Sequence, residues 1–232
     1  RGMVRRAMGE MTSAAADFME LASLARECEQ VETEAKALLH AASAFSWVER
    51  QRCPETFERA VALIPRLQSE LLKAHVRAYW GYWYSRFLTW REEDEQACER
   101  AIEATKQAGH RALLSMHVAR QTYYLCLRSE YESACRVAEE GSWLTLEAGD
   151  GFDYLYCLFY WSWALLHAGQ LGKLRAVLRT ATDVAEKNGQ NLLAALLSLE
   201  NVWLYEQALD FNRAHDLSER TLRQTGAGQH ET

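Results

Sequence analysis

The sequence predicts an all-α protein: a right-handed α-solenoid of about five antiparallel helix pairs, with one extra helix in front. Three observations carry this. Only two prolines and twelve glycines occur in 232 residues, and the abundant Ala, Leu, Glu and Arg favour helix because they lose little rotamer freedom there. A unit also recurs: "KQAGH", "LEAGD", "EKNGQ" and "TGAGQ" place Gly109, Gly149, Gly189 and Gly228 at steps of 149−109 = 40, 189−149 = 40 and 228−189 = 39. Each glycine ends a helix-compatible run, where a left-handed residue costs glycine least. Finally, a second break falls about twenty residues later, at Ser129, Gly169 and Leu209, followed two positions on by Tyr131, Leu171 and Phe211. Each unit therefore holds two helices, A and B.

In chain order, "MTSAAADFMELASLARECE", residues 11 to 29, is the extra helix. Stepping back by the repeat puts turns near Glu29, Glu49, Ser69 and Thr89. The A helices fall near 32 to 50, 70 to 89, 110 to 128, 151 to 168 and 190 to 208. The B helices fall near 53 to 67, 92 to 108, 131 to 148, 171 to 188 and 211 to 226. Cys53-Pro54-Glu55 starts the first B helix, since Pro in the first turn lacks an N–H that would be unpaired anyway. Pro65 should end or kink that helix early. "REEDEQACER", residues 91 to 100, opens the next B helix with carboxylates that suit the positive end of its dipole; it lacks the spacing and central glycine of a calcium loop. Along the B helices run a small-residue column, Ala101, Gly141, Ala181 and Thr221, and an apolar one, Ala97, Val137, Val177 and Leu217, which let neighbouring helices approach and fill the space between them.

Residues 1–232 read as a single helical-repeat domain. An array that opens on the second half of a unit, in a chain starting on Arg1 rather than Met, is expected to be a fragment of a longer multidomain protein. A formal charge of −6 and a pI near 5.7 argue against a nucleic-acid surface. The six cysteines are scattered without CxxC spacing and read as small apolar fillers in a reducing, cytoplasmic setting. The uncharged stretch 154 to 172 contains Ser162, His167 and Gln170 and occupies one unit of the repeat, so no membrane span is expected. The seven histidines form no HExxH, His i,i+4 or Glu-x-x-His pattern, and no nucleophile elbow or evident Ser/His/Asp set appears. The expectation is a chain that is not an enzyme and uses no metal and no cofactor.

"YWSWALLHAGQLGKLRAVLRTA", residues 160 to 181, resembles a tetratricopeptide unit, with Ser162, Gly169, Leu171 and Ala181 at the family's small, glycine, apolar and small positions. It departs from the family at Leu174, where Ala is usual, in the longer unit, and in lacking the terminal proline. The longer unit, with junctions "EAGD" and "KNGQ", looks more like the helical arrays of large bacterial signal-transduction ATPases, including the maltose-activator type of transcription regulator. That resemblance implies a sensor or partner-docking segment, with ATP hydrolysis and DNA binding in other domains; no GxxxxGK[ST] is present here.

"AYWGYWYSRFLTW", residues 78 to 90, is the most aromatic stretch. In the forty-residue frame Trp83, Tyr123, Trp163 and Trp203 occupy one column of successive A helices, which the tetratricopeptide resemblance places on a concave surface. Flanking columns hold Tyr79, Ala119, Phe159 and Leu199; Trp80, Arg120, Tyr160 and Glu200; and Phe87, Leu127, His167 and Gln207. Tyr82 and Tyr84 are expected between helix layers, with Trp80, Trp83, Tyr79 and Phe87 toward the groove. The expected binding residues are Trp83, Tyr123, Trp163, Trp203, Tyr79, Trp80, Arg120, Phe159, Tyr160 and His167. Such a groove suits a protein or peptide partner, or a small ligand such as an oligosaccharide, because large rings bury much area with little rotamer entropy lost. The alternative is a scaffold, a homo-oligomer joined through its solenoid ends, with the aromatic ladder as core.

Overall fold

A computed structural model describes residues 1–149 and 151–225. Among them lie twelve α-helices, two short 3-10 turns and no strand. The helices are α1 (Gly2–Ala7), α2 (Met11–Glu27), α3 (Val31–Val48), α4 (Cys53–Ala62), α5 (Glu70–Phe87), α6 (Glu92–Gln107), α7 (Arg111–Leu127), α8 (Tyr131–Ala148), α9 (Gly151–His167), α10 (Leu171–Lys187), α11 (Asn191–Gln207) and α12 (Phe211–Thr225). The five A/B pairs run from α3/α4 to α11/α12, and α2 is the extra helix. The short α1 before it was not expected. The chain divides into two compact units, Arg1–Arg120 and Gln121–Thr232.

Most connections are built one way. Glu29, Gly109, Ser129, Gly149, Gly169, Gly189 and Leu209 all have φ between 56° and 71°, the left-handed state that turns a chain out of a helix. At Gly169 the turn closes with Gln170 N–H donating to the Leu165 carbonyl at 2.9 Å, while the Gln170 carbonyl accepts from Leu174 N–H at 3.0 Å. One residue thus seals the end of one helix and starts the next. Gly228 lies outside the described residues.

The expected turns near 49, 69 and 89 are made differently. Here Glu49 has φ −137° and Leu88 φ −121°, and Ser69 acts as an N-cap, its hydroxyl accepting from Leu72 N–H at 3.2 Å. The B helix expected over 53 to 67 stops at Ala62, and a 3-10 turn, Ile64–Arg66, holds Pro65 before Leu67 turns extended. The proline ends this helix because it cannot donate to the preceding turn.

In Arg1–Arg120, α2 packs on α3, α3 on α4 and α5, and α5 on α6. The α5–α6 contact is close enough that a Cβ on Gly81 would meet Asp94 within 3.0 Å. Asp94 and Glu95 are buried, so the acidic run is not a purely solvated face. The Asp94 carboxylate accepts the Arg91 fork at 2.7 and 2.8 Å and the Ser85 hydroxyl at 3.0 Å, the pairing a buried charge requires. In Gln121–Thr232, α9 packs on α8, α10 and α11, and α12 on α11. Leu155, Leu165, Leu174, Leu178 and Leu197 are fully buried between them.

Candidate functional site

Each unit carries its own aromatic cluster. In Arg1–Arg120 the centre is Phe57 of α4, which is completely buried. Its ring lies 5.6 Å from Tyr79, 5.8 Å from Trp80 and 5.7 Å from Trp83, all on α5. Trp80 and Trp83 stack at 5.5 Å and 13°. Trp83 and Tyr79, expected to face a groove, are instead buried under Phe57, with 4% and 8% of their surface exposed. Trp80 and Phe87 are half-buried, as is Tyr84; Tyr82 is buried. Cations cover the rim: the Arg50 guanidinium sits 4.7 Å over Phe87, and Arg91 3.7 Å over Tyr84.

Arg120 closes this cluster from α7. It is buried, with its guanidinium 3.7 Å over the Tyr79 ring and its Nη1 3.4 Å from His117 Nδ1. His117 Nε2 lies 3.1 Å from His75 Nδ1. A guanidinium only donates, so His117 Nδ1 accepts, and His117 Nε2–H then donates to His75. Both imidazoles are held neutral, their pKa values well below the usual 6.5, first by burial; the charge of Arg120 adds to this for His75, and His75 and then Arg120 add to it for His117. Arg120 Nε has no hydrogen-bond partner.

In Gln121–Thr232 the rings are graded in exposure. Tyr123 is buried, 5.5 Å from Tyr160 and 6.0 Å from Trp163. Tyr160 is buried too, its hydroxyl donating to Tyr156 at 3.3 Å. Phe159 and Trp163 are half-buried, and His167 is exposed, stacked 5.0 Å from Tyr131. Trp203 is 46% exposed, as is its neighbour Leu199. The column Trp83, Tyr123, Trp163 and Trp203 therefore passes from buried ring to presented ring.

Glu200 also lies in this unit, buried, with Oε2 lacking a hydrogen-bond partner. Burial raises its pKa to about 7. The cysteines behave as fillers: five of the six are buried, and the Cys98 and Cys157 thiols donate to the carbonyls of His117 and Ala138. Burial pushes both thiols up to about 12. Among the described residues no group of three His, Cys, Asp or Glu could hold a metal ion, and no helix is long and apolar enough to cross a membrane.

Sequence reasoning missed three features. Phe57 was invisible as the lid of the α5 cluster because it lies more than twenty residues away. The His75–His117–Arg120 relay was half visible, in the i,i+3 spacing of His117 and Arg120. Trp143 and Trp161, which line a cavity between α8, α9 and α10, fall in no repeating column.

BtubC (BKLC) from P. vanneervenii superposes on 99% of this chain and 93% of its own, with a TM-score of 0.64 at 11% identity. The fold is a tetratricopeptide-like helical repeat. A kinesin light chain from Podospora anserina with nearly identical tetratricopeptide-like repeats matches 94% of this chain and 98% of its own, with a TM-score of 0.57 at 12% identity. No protein-family model and no curated protein matches the sequence. The tetratricopeptide-like repeat explains the twenty-residue rhythm of left-handed residues and the α9–α11 packing of successive A helices.

Proposed function

We propose that this chain is a non-enzymatic docking module that holds a protein or peptide partner on the aromatic face of Gln121–Thr232, as the sensor or docking segment of a cytoplasmic regulator. The observation that carries the reading is the graded column: Trp203 is nearly half exposed while its repeat equivalents Trp83 and Tyr123 are buried. A presented indole beside exposed Leu199 and half-buried Trp163 offers large apolar area at small entropic cost, the composition of a binding hot spot. His167 adds a polar handle. An oligosaccharide would stack on the same indoles.

The test is selection of peptides from a display library against the intact chain, followed by titration against Trp203→Ala and Trp163→Ala. Loss of binding by roughly tenfold or more in Trp203→Ala, with an unchanged melting temperature, supports the reading. Selected peptides that bind Trp203→Ala as well as the parent contradict it. If oligosaccharides bind and peptides do not, the partner class changes but the face remains.

A second reading, self-association, rests on a different observation. Leu209, Phe211 and Leu222 are 75%, 62% and 49% exposed, whereas among the repeat equivalents of Leu222 both Ile102 and Ser142 are 7% exposed and Thr182 is half-buried. The same register position holds Ile, Ser and Thr, wholly or partly covered, in earlier units and a bare Leu on α12. Sedimentation velocity over a range of concentrations tests this: a dimer abolished by Leu222→Glu supports it, and a monomer throughout contradicts it.

A further inference from the structure

Within Gln121–Thr232 a cavity of about 260 Å³ opens between α8, α9 and α10. Leu158 and Val177, both buried, form its floor. Trp143, Tyr154, Trp161 and Glu139 form its walls. Trp143 is 63% exposed, an unusual position for an indole.

The repeat itself shows that these rings are not required by the fold. One unit away from Trp143 stand Glu103 and Asp183, and one unit away from Trp161 stand Gln121 and Asn201. Tyr154 corresponds to Leu114 and Ala194. Three aromatic rings therefore gather in one unit at positions that other units fill with polar, charged or smaller aliphatic residues.

Aromatic faces carry the negative end of a quadrupole, and a carboxylate beside them adds a full negative charge. Among the described residues the Glu139 side chain makes no hydrogen bond or ion pair. The volume is below the ~300 to 1,000 Å³ of pockets that enclose drug-sized ligands, so it fits one side chain or head group. We propose that this cavity is a cation-binding aromatic cage that takes the alkylammonium end of a lysine side chain, methylated or not, presented by a protein partner. Exposed Leu146 at the mouth gives an approaching polypeptide an apolar landing. The site is independent of the face proposed above: on α9, Trp161 and Trp163 are two residues apart, about 200° around the helix.

The test uses the intact chain and two probes of equal shape, choline and its uncharged isostere 3,3-dimethylbutanol, followed by tryptophan fluorescence and indole N–H NMR signals. Choline should bind saturably and more tightly than the isostere, with affinity falling about tenfold or more in Trp143→Ala and several-fold in Glu139→Gln. Exposure of Trp143 means that Trp143→Ala should fold, which its melting curve checks. Short peptides carrying lysine or trimethyllysine should displace choline, and the same peptides with norleucine should not. Equal binding of choline and the isostere, or no binding of either, overturns the cage. Choline binding that no lysine peptide displaces overturns the partner and assigns the cage to a free quaternary ammonium.

Discussion

The two compact units use one register position in opposite ways. In Arg1–Arg120, Trp83 is held beneath Phe57 and stacked on Trp80, and the cluster is capped by a buried arginine over Tyr79. In Gln121–Thr232, Trp163 is half-buried beside Tyr123 and Tyr160, and Trp203 is nearly half exposed. The repeat fixes where an indole sits along a helix; neighbours contributed from elsewhere in the chain decide whether it is core or surface.

The buried charged groups differ in the same way. Arg1–Arg120 buries two neutral histidines beside a cation, and Gln121–Thr232 buries the Glu200 carboxyl with one oxygen lacking a hydrogen-bond partner. Their pH responses should therefore have opposite signs.

The largest expected effect is at the lid. Phe57→Ala should destabilise Arg1–Arg120 by about 3 to 5 kcal/mol, the range for removing a large buried ring, as read by denaturant unfolding. A loss under about 1 kcal/mol would mean that the α5 cluster does not depend on Phe57.

Next comes Glu200. Its folded pKa of about 7 stands above the ordinary 4.5, so the folded state holds the proton more tightly than the unfolded chain. Stability is then full below pH 4.5 and is lost as pH rises to about 7, by about 3 kcal/mol at most. Glu200→Gln should remove that loss and make Gln121–Thr232 more stable than the parent at pH 8. Parallel pH profiles for the two proteins would contradict the assignment.

The histidine pair should respond the other way. Both pKa values lie below 6.5 in the fold, so the unfolded chain takes up protons first and stability falls as pH drops below 6.5. His75→Gln with His117→Gln should flatten this acid limb. Hydrogen exchange resolved by peptide should place the acid loss in Arg1–Arg120 and the Glu200 loss in the other unit.

The smallest effect is at a turn. Leu209 adopts φ 57° and is 75% exposed. Replacing it by glycine relieves about 1 to 2 kcal/mol of left-handed strain, offset by about 0.5 to 1 kcal/mol of extra chain entropy. A net gain of up to about 1 kcal/mol is expected, read as a rise in melting temperature.

That turn also shows what was legible in the sequence. Glycines forty residues apart, with Ser129 and Leu209 at the half-steps, marked left-handed residues because the geometry recurs with the unit, and helices α5 to α12 followed within about two residues. The rhythm failed at residues 49, 69 and 89, where a proline-bearing 3-10 turn and a serine cap replace the left-handed residue. The aromatic column was legible as a register, but its rotation was not. Helices α5, α7 and α11 carry apolar residues on most faces, so periodicity could not say which rings are covered. Burial of Trp83 required knowing where α4 ends and Phe57 lands. Trp143 was illegible for the opposite reason: a single indole on the polar side of an amphipathic helix repeats nowhere.

The measurement that bears most directly on the division between core and presented rings is a paired melting experiment on Trp83→Ala and Trp203→Ala. Trp83→Ala should lose about 3 to 5 kcal/mol, and Trp203→Ala should stay within about 1 kcal/mol of the parent. Equal losses from the two substitutions, or a larger loss from Trp203→Ala, would contradict the account.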